Sequence, residues 1–139
     1  MPFPREYSTA SADFERFLDE VRTQAMRQTR NQAYAMTRAV LHVFRDHLSV
    51  RDALDFADLL PPLLRALYID NWHPSPAPPL FPDRAALLRQ VLDVRQPHNT
   101  APQSAISDVA TVLRRHVDQR RFDQLLARLP AGAVDYWAP

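Results

Sequence analysis

Two stretches decide the fold: MTRAVLHVFRDHL at residues 36–48 and AISDVATVLRRHV at residues 105–117. In the first, Met36, Val40, Val43, Phe44 and Leu48 fall at i, i+4, i+7, i+8 and i+12. In the second, Ile106, Val109, Val112, Leu113 and Val117 do nearly the same. That spacing lines one face of an α-helix and predicts that both helices are buried along that face. Sliding the chain 69 places against itself lays Val40 on Val109, Val43 on Val112, Arg45 on Arg114, His47 on His116, Leu60 on Leu129 and Pro61 on Pro130, without a gap. Similar side chains also meet, Phe56 on Leu125 and Tyr68 on Trp137, and one further place of shift sets Phe17 on Leu87 and Val21 on Val91. Any two striped helices align on their stripes, but a shared Leu-Pro at a fixed distance from a shared Arg-x-His is harder to obtain by periodicity alone. The chain reads as two copies of one helical unit.

Working outward, Phe14, Phe17, Leu18, Val21 and Ala25 form the stripe of a preceding helix, with Ser11 as its expected N-cap. Thr29-Arg30-Asn31-Gln32 has the form of a capping box, and Ser49 and Asp52 open a helix that Pro61 and Pro62 stop. Proline suits a first helical turn, so a short helix with Leu63, Leu64, Leu67 and Tyr68 inward follows directly. Residues 74–82, PSPAPPLFP, hold five prolines and read as an extended, stiff connector. The pattern then restarts: Asp83 caps a helix with Leu87, Leu88, Val91 and Leu92 inward, Thr100-Ala101-Pro102-Gln103 is a second capping box, and Asp118 caps a helix carrying Phe122, Leu125, Leu126 and Leu129. The expected fold is all-α: one helical-bundle domain over 1–139, about seven to eight helices, built from pseudo-repeated units 11–73 and 83–137 joined by 74–82.

Composition narrows the chemistry. All 17 basic residues are Arg, which removes Schiff-base and phosphate-loop lysines. Zero Cys removes disulfides, thiolate zinc sites and cysteine nucleophiles. One Gly against 13 Pro leaves no glycine-rich phosphate loop and few tight hairpin turns. No apolar run is long enough to span a membrane, and the start, MPFPREYSTASADFER, lacks the layout of a secretion signal, so a cytoplasmic protein is expected.

The order AVLHVFRDHL, then LLPPLLRALYIDNWHP, then FPDRAALLRQVLDV resembles the small bacterial proteins grouped as domain of unknown function 2267. That family has a similar Ala-Val-Leu helix with Arg near its end, a Leu-Pro after the next helix and an aromatic segment leading to Trp-x-Pro. The resemblance spans about residues 13 to 130 and implies an all-helical, soluble bacterial protein with no assigned reaction, so it transfers no catalytic residue. His47 departs from the family's usual Arg, and the connector is unusually rich in proline.

Among chemistry-bearing residues, the five His (42, 47, 73, 98 and 116) include no pair at helical metal-binding spacing, and only Asp70-x-x-His73 comes near. No metal or cofactor is expected. His47 and His116 fall at helix C-termini, where an imidazolium suits the macrodipole. Asp52, Asp55 and Asp58 recur on the flank away from Phe56 and read as a solvated face. No Ser lies in a nucleophile elbow. Net charge is +1, but it is laid out in blocks: acidic to residue 20, basic over 21–51, acidic over 52–83 and basic over 84–123. Arg22, Arg27, Arg30, Arg38 and Arg45 could form a basic face for nucleic acid, although the acidic segments oppose it. The most partner-like group is Arg65, Tyr68, Trp72 and His73, since Arg, Tyr and Trp dominate interface hot spots. The pairing of Tyr68 with Trp137 argues instead for core plugs. These readings favour a non-enzymatic module that binds another protein or a copy of itself. A small-molecule pocket or an unrecognised enzyme between the units is the alternative, and weak nucleic-acid binding is the third reading.

Overall fold

The structure, a computed structural model, describes residues 3–94 and 101–139. Among these residues it is all-helical: α1 (Arg5–Ser8), α2 (Ala10–Gln24), α3 (Arg30–Arg45), α4 (Val50–Ala57), α5 (Pro62–Ile69), α6 (Arg84–Asp93), α7 (Ala105–Leu113), α8 (Gln119–Arg128) and α9 (Ala133–Tyr136). The two four-residue helices α1 and α9 take the count past that expected from the apolar stripes, because such short turns carry no stripe of their own.

Four helix starts are capped by the expected side chains. Thr29 and Gln32 close a full capping box at the start of α3, Ser49 accepts from Asp52 N, Asp83 from Ala86 N and Asp118 from Arg121 N. Two starts differ. α2 begins at Ala10 behind Thr9, whose hydroxyl bonds Asp13 at 2.7 Å, so Ser11 is inside the helix and not its cap. α7 begins at Ala105 behind Ser104, whose hydroxyl donates to Asp108 at 2.6 Å. Thr100, expected to cap it, and His98 lie outside the described residues.

α3 is the centre of the bundle and packs against α2, α5, α6 and α7, while α2 also packs against α5 and α7. α4 lies against α5 and α8, and α8 against α9. The buried apolar side chains of both halves join in one cluster. Its middle is aromatic: the Phe44 ring sits 4.8 Å from Phe56, 5.2 Å from Tyr136 and 5.3 Å from Trp137, and Phe56 reaches Tyr68 at 5.2 Å and Phe122 at 5.7 Å. Of the stripe residues, Leu63 is on the surface, on the outer side of α5.

Two arginines, Arg45 buried and Arg114 half-buried, fasten this core. Arg45 Nη1 donates to the carbonyls of Tyr68 and Asp70, both at 3.1 Å, and Arg114 Nε donates to that of Trp137 at 3.1 Å. Two histidines brace it from the other side. The His47 ring meets Gln90 Oε1 at 3.2 Å and the Pro79 carbonyl at 3.1 Å, and His116 Nε2 meets Glu20 Oε2 at 3.2 Å. Thus α3 is tied to α6, and α7 to α2.

The scarcity of glycine has visible consequences. Gly132 has φ +105°, and a Cβ there would stand 2.7 Å from Phe81 Cβ, so the chain's one glycine is where the connector presses on the turn before α9. At the end of α2 the turn is closed by Arg27 N to Arg22 O and Met26 N to Thr23 O, which is a Schellman closure. It puts Met26 at φ 55°, in a conformation that favours glycine, with its side chain 85% exposed.

Opposite outcomes follow at these two turns in chemical denaturation. Gly132→Ala should lower stability by about 1–2 kcal/mol or more, from strain plus the clash with Phe81. Met26→Gly should raise it by about 0.5–1 kcal/mol, since little packing is lost. His42 Nε2–H donates to Leu67 O at 2.7 Å. Burial, aided by Arg45 and Arg38, pushes its imidazolium down from 6.5 to about 4. The unfolded chain therefore takes up the proton first, so stability is held above pH 6.5 and lost as pH falls toward 4. Urea midpoints across this window should fall less steeply for His42→Gln than for the native chain.

Candidate functional site

The segment from α5 into the connector divides into an inner and an outer part. Arg65 faces inward along the chain: its Nε donates to Ala57 O at 3.1 Å and its Nη2 to Leu60 O at 3.0 Å, closing the open carbonyls at the end of α4. Tyr68 is completely buried against Phe56, and burial raises its phenol. These two residues of the expected partner-binding group therefore serve the core, because the apolar stripe of α5 carries Tyr68 inward with Leu64 and Leu67. Trp72 and His73 do reach the surface.

Their position is fixed by the turn after α5. Asn71 adopts φ 54°, which its short polar side chain tolerates, and the chain folds Trp72 back over Arg45, with the guanidinium 5.9 Å from the ring centroid. Arg45 is 5% exposed, and Asp46 Oδ1 accepts from its Nε at 3.0 Å. Trp72 is half-buried and His73 exposed. Together with Leu48, Asn71 and Ser75, these side chains line an open hollow of about 270 Å³. It offers an indole face, a histidine edge and the Asp46 carboxylate to anything that settles there.

Each of the five arginines of the expected basic face finds a partner within the fold, Arg30 while staying exposed. Arg22 and Arg30 both converge on Asp19, Arg30 with two contacts of 2.8 and 2.9 Å, and this fork holds the Asp19 carboxyl below its usual range. Arg38 pairs with Asp70 at 3.3 Å, Arg27 Nε donates to Ala25 O at 3.0 Å, and Arg45 is buried. A run of like charges in sequence is thus spread around α2 and α3 and met by acids from elsewhere. Of the near-metal pair, Asp70 is taken by Arg38 and His73 stands apart in solvent; among the described residues no three His, Asp or Glu side chains converge as metal ligands would.

A larger open hollow, about 550 Å³, runs along α2 and is walled by Glu15, Arg16, Asp19, Glu20, Arg30 and Arg115. Its charges answer one another: Glu20 takes Arg115 at 3.2 Å and His116 at 3.2 Å, and Asp19 takes Arg30. The role of Arg45 and Arg114 as inward clasps was missed in the sequence. The available signal was that both occupy the same place in the 69-residue register, each 23 residues before the aromatic whose carbonyl it holds.

No helix among the described residues is long and apolar enough to cross a membrane. A search of curated proteins returns no match. Residues 14–136 match the model of a family described as "Uncharacterized conserved protein (DUF2267)", which takes in all the helices from α3 to α9 and most of α2. With nearly the whole bundle inside that match, the chain belongs to the DUF2267 family.

Proposed function

We propose that this chain is a non-enzymatic, cytoplasmic interaction module of a bacterium, which joins another protein or a second copy of itself through the turn after α5 and the proline connector. The observation that carries the reading is Trp72. A large indole is held half-exposed over a buried guanidinium, so its rigid face is presented with little conformational freedom to lose on binding. Leu80, 86% exposed in the connector, adds apolar area to the same segment.

The two-unit reading of the chain belongs to this proposal. It is supported by the matched clasps of Arg45 on Tyr68 and Arg114 on Trp137, and by the matched braces of His47 on Gln90 and His116 on Glu20. Both pairs recur at the register found in the sequence. A small-molecule site between the halves is the second reading, favoured by the hollow along α2, to which Arg115 contributes from beyond α7. Its walls are already paired, which leaves fewer groups to meet a ligand.

Light scattering after size-exclusion, with a pull-down on the tagged chain, tests the leading reading. Either a concentration-dependent oligomer or a retained protein is expected, weakened about tenfold or more by Trp72→Ala. A strictly monomeric chain that retains nothing, or an association indifferent to Trp72→Ala, would count against it.

A further inference from the structure

We propose that the outer face formed by α4 and α8 is a self-association surface, on which a second copy of this chain docks about a two-fold axis, the acidic α4 of each copy against the basic α8 of the other. The surface shares no residue with the Trp72 hollow, so the inference goes beyond the reading above.

Charges are left over on this face when the fold's own ion pairs are made. α4 and its C-cap carry Asp52, Asp55 and Asp58 against Arg51 alone, and Arg51 reaches Asp55 at 3.6 Å. Asp58 closes α4 at its C-terminal end, where the helix's free carbonyls already concentrate negative charge. Among the described residues it has no cation within 4.0 Å. α8 shows the reverse. Arg120, Arg121 and Arg128 are exposed, and of the acids of the helix and its N-cap, Asp123 is occupied by Arg114 at 2.9 Å and Asp118 accepts from Arg121 N at 3.1 Å. Arg121 and Arg128 likewise make no ion pair among the described residues.

The two helices pack side by side yet do not neutralise each other. Between them runs an open hollow of about 260 Å³, with Asp55 and Asp58 on one wall and Arg121 and Arg128 on the other. The outer stripe of α4 also carries Leu54, 49% exposed, between Arg51 and Asp58 at helical spacing.

A two-fold interface brings the same patch of both copies together, so it must be its own complement. A surface with one acidic and one basic strip satisfies this, because rotation sets each strip on its opposite. A nucleic acid or a singly charged partner would meet repulsion from one strip. The exposed Leu54 supplies apolar area on the α4 strip, and each charge pair is counted twice by symmetry.

The full-length chain is to be run in analytical ultracentrifugation at about 0.05 M and about 0.5 M salt, because exposed pairs are screened over this range. A dimer that weakens with salt is expected. Arg121→Glu with Arg128→Glu, and separately Asp55→Arg with Asp58→Arg, should each weaken it about tenfold or more. An equimolar mixture of the two variants should regain a dimer, since the reversed strips complement each other. Circular dichroism checks that each variant is folded; where a reversal unfolds the chain, Arg121→Gln with Arg128→Gln serves in its place. A monomer at every concentration, or a dimer indifferent to both sets of changes, overturns the inference. A dimer lost only with Trp72→Ala also overturns it, while leaving the Trp72 reading standing.

Discussion

The fold depends on two guanidinium groups turned in toward its core, that of Arg45 buried and that of Arg114 half-buried. Each helix leaves carbonyls at its C-terminal end without intrahelical donors, and a helix that ends within a packed core has no water to meet them. α5 and α9 both end this way, with Tyr68 and Trp137 completely buried at their last turns. Arg45 and Arg114 answer the need by donating to the backbone of those same two residues. Burying a charge is costly, but the negative end of a helix is the place where a cation is best compensated. Asp46 and Asp123, both at the surface, balance the two cations from outside. With the two ends fixed, the aromatic rings between them can pack at separations of about 5–6 Å around Phe44 and Phe56. Without the clasps, the same rings would be anchored to helix ends carrying unpaired carbonyls.

What was legible in the sequence is what period and capping chemistry specify. The stripes of α2, α3, α7 and α8 are buried at Phe17, Val40, Val109 and Phe122, and Thr29, Ser49, Asp83 and Asp118 cap as their side chains dictate. What was not legible is tertiary. Arg45 reads in sequence as one more basic residue on a charged stretch, because nothing local says that α5 ends against it. Gly132 looks like an ordinary turn residue until Phe81, from the connector, closes to within the space of a Cβ. Thr9 displaces Ser11 as the start of α2 because α1 and the Thr9–Asp13 contact fix the turn two residues earlier than the cap rule alone suggests.

The candidate site was half legible for a related reason. Hot-spot chemistry named Arg65, Tyr68, Trp72 and His73 together, but their spacing on and beyond α5 sends them in different directions. Tyr68 follows the inward stripe of α5, Arg65 turns to the end of α4, and only past Asn71 is the chain free to lay Trp72 outward. The charge blocks behave similarly. Arg22, Arg30 and Arg38 of the basic block are taken by Asp19 and Asp70, whereas among the described residues Asp58, at the end of α4, and Arg121 and Arg128, on α8, make no ion pair. Block sign along a sequence thus says little about a surface until the partners of each charge are known.

The histidine braces bear on how any partner would be met. His47 and His116 do not sit at helix ends as isolated dipole partners; each links a central helix to one distant in sequence, α3 to α6 and α7 to α2. Phe17 lies edge-on to His116 and Phe81 against His47, so each brace is backed by an aromatic contact. Separating α2 from α7, or α6 from α3, would break a brace and expose Phe17, Val21, Leu87 or Val91 from a single shared core. Opening the bundle to admit a partner would therefore cost much of its stability. Any partner would accordingly have to be met on the outer surface, where rigid helices and one pinned indole present shapes already formed, and docking without backbone rearrangement is the mode such a surface allows.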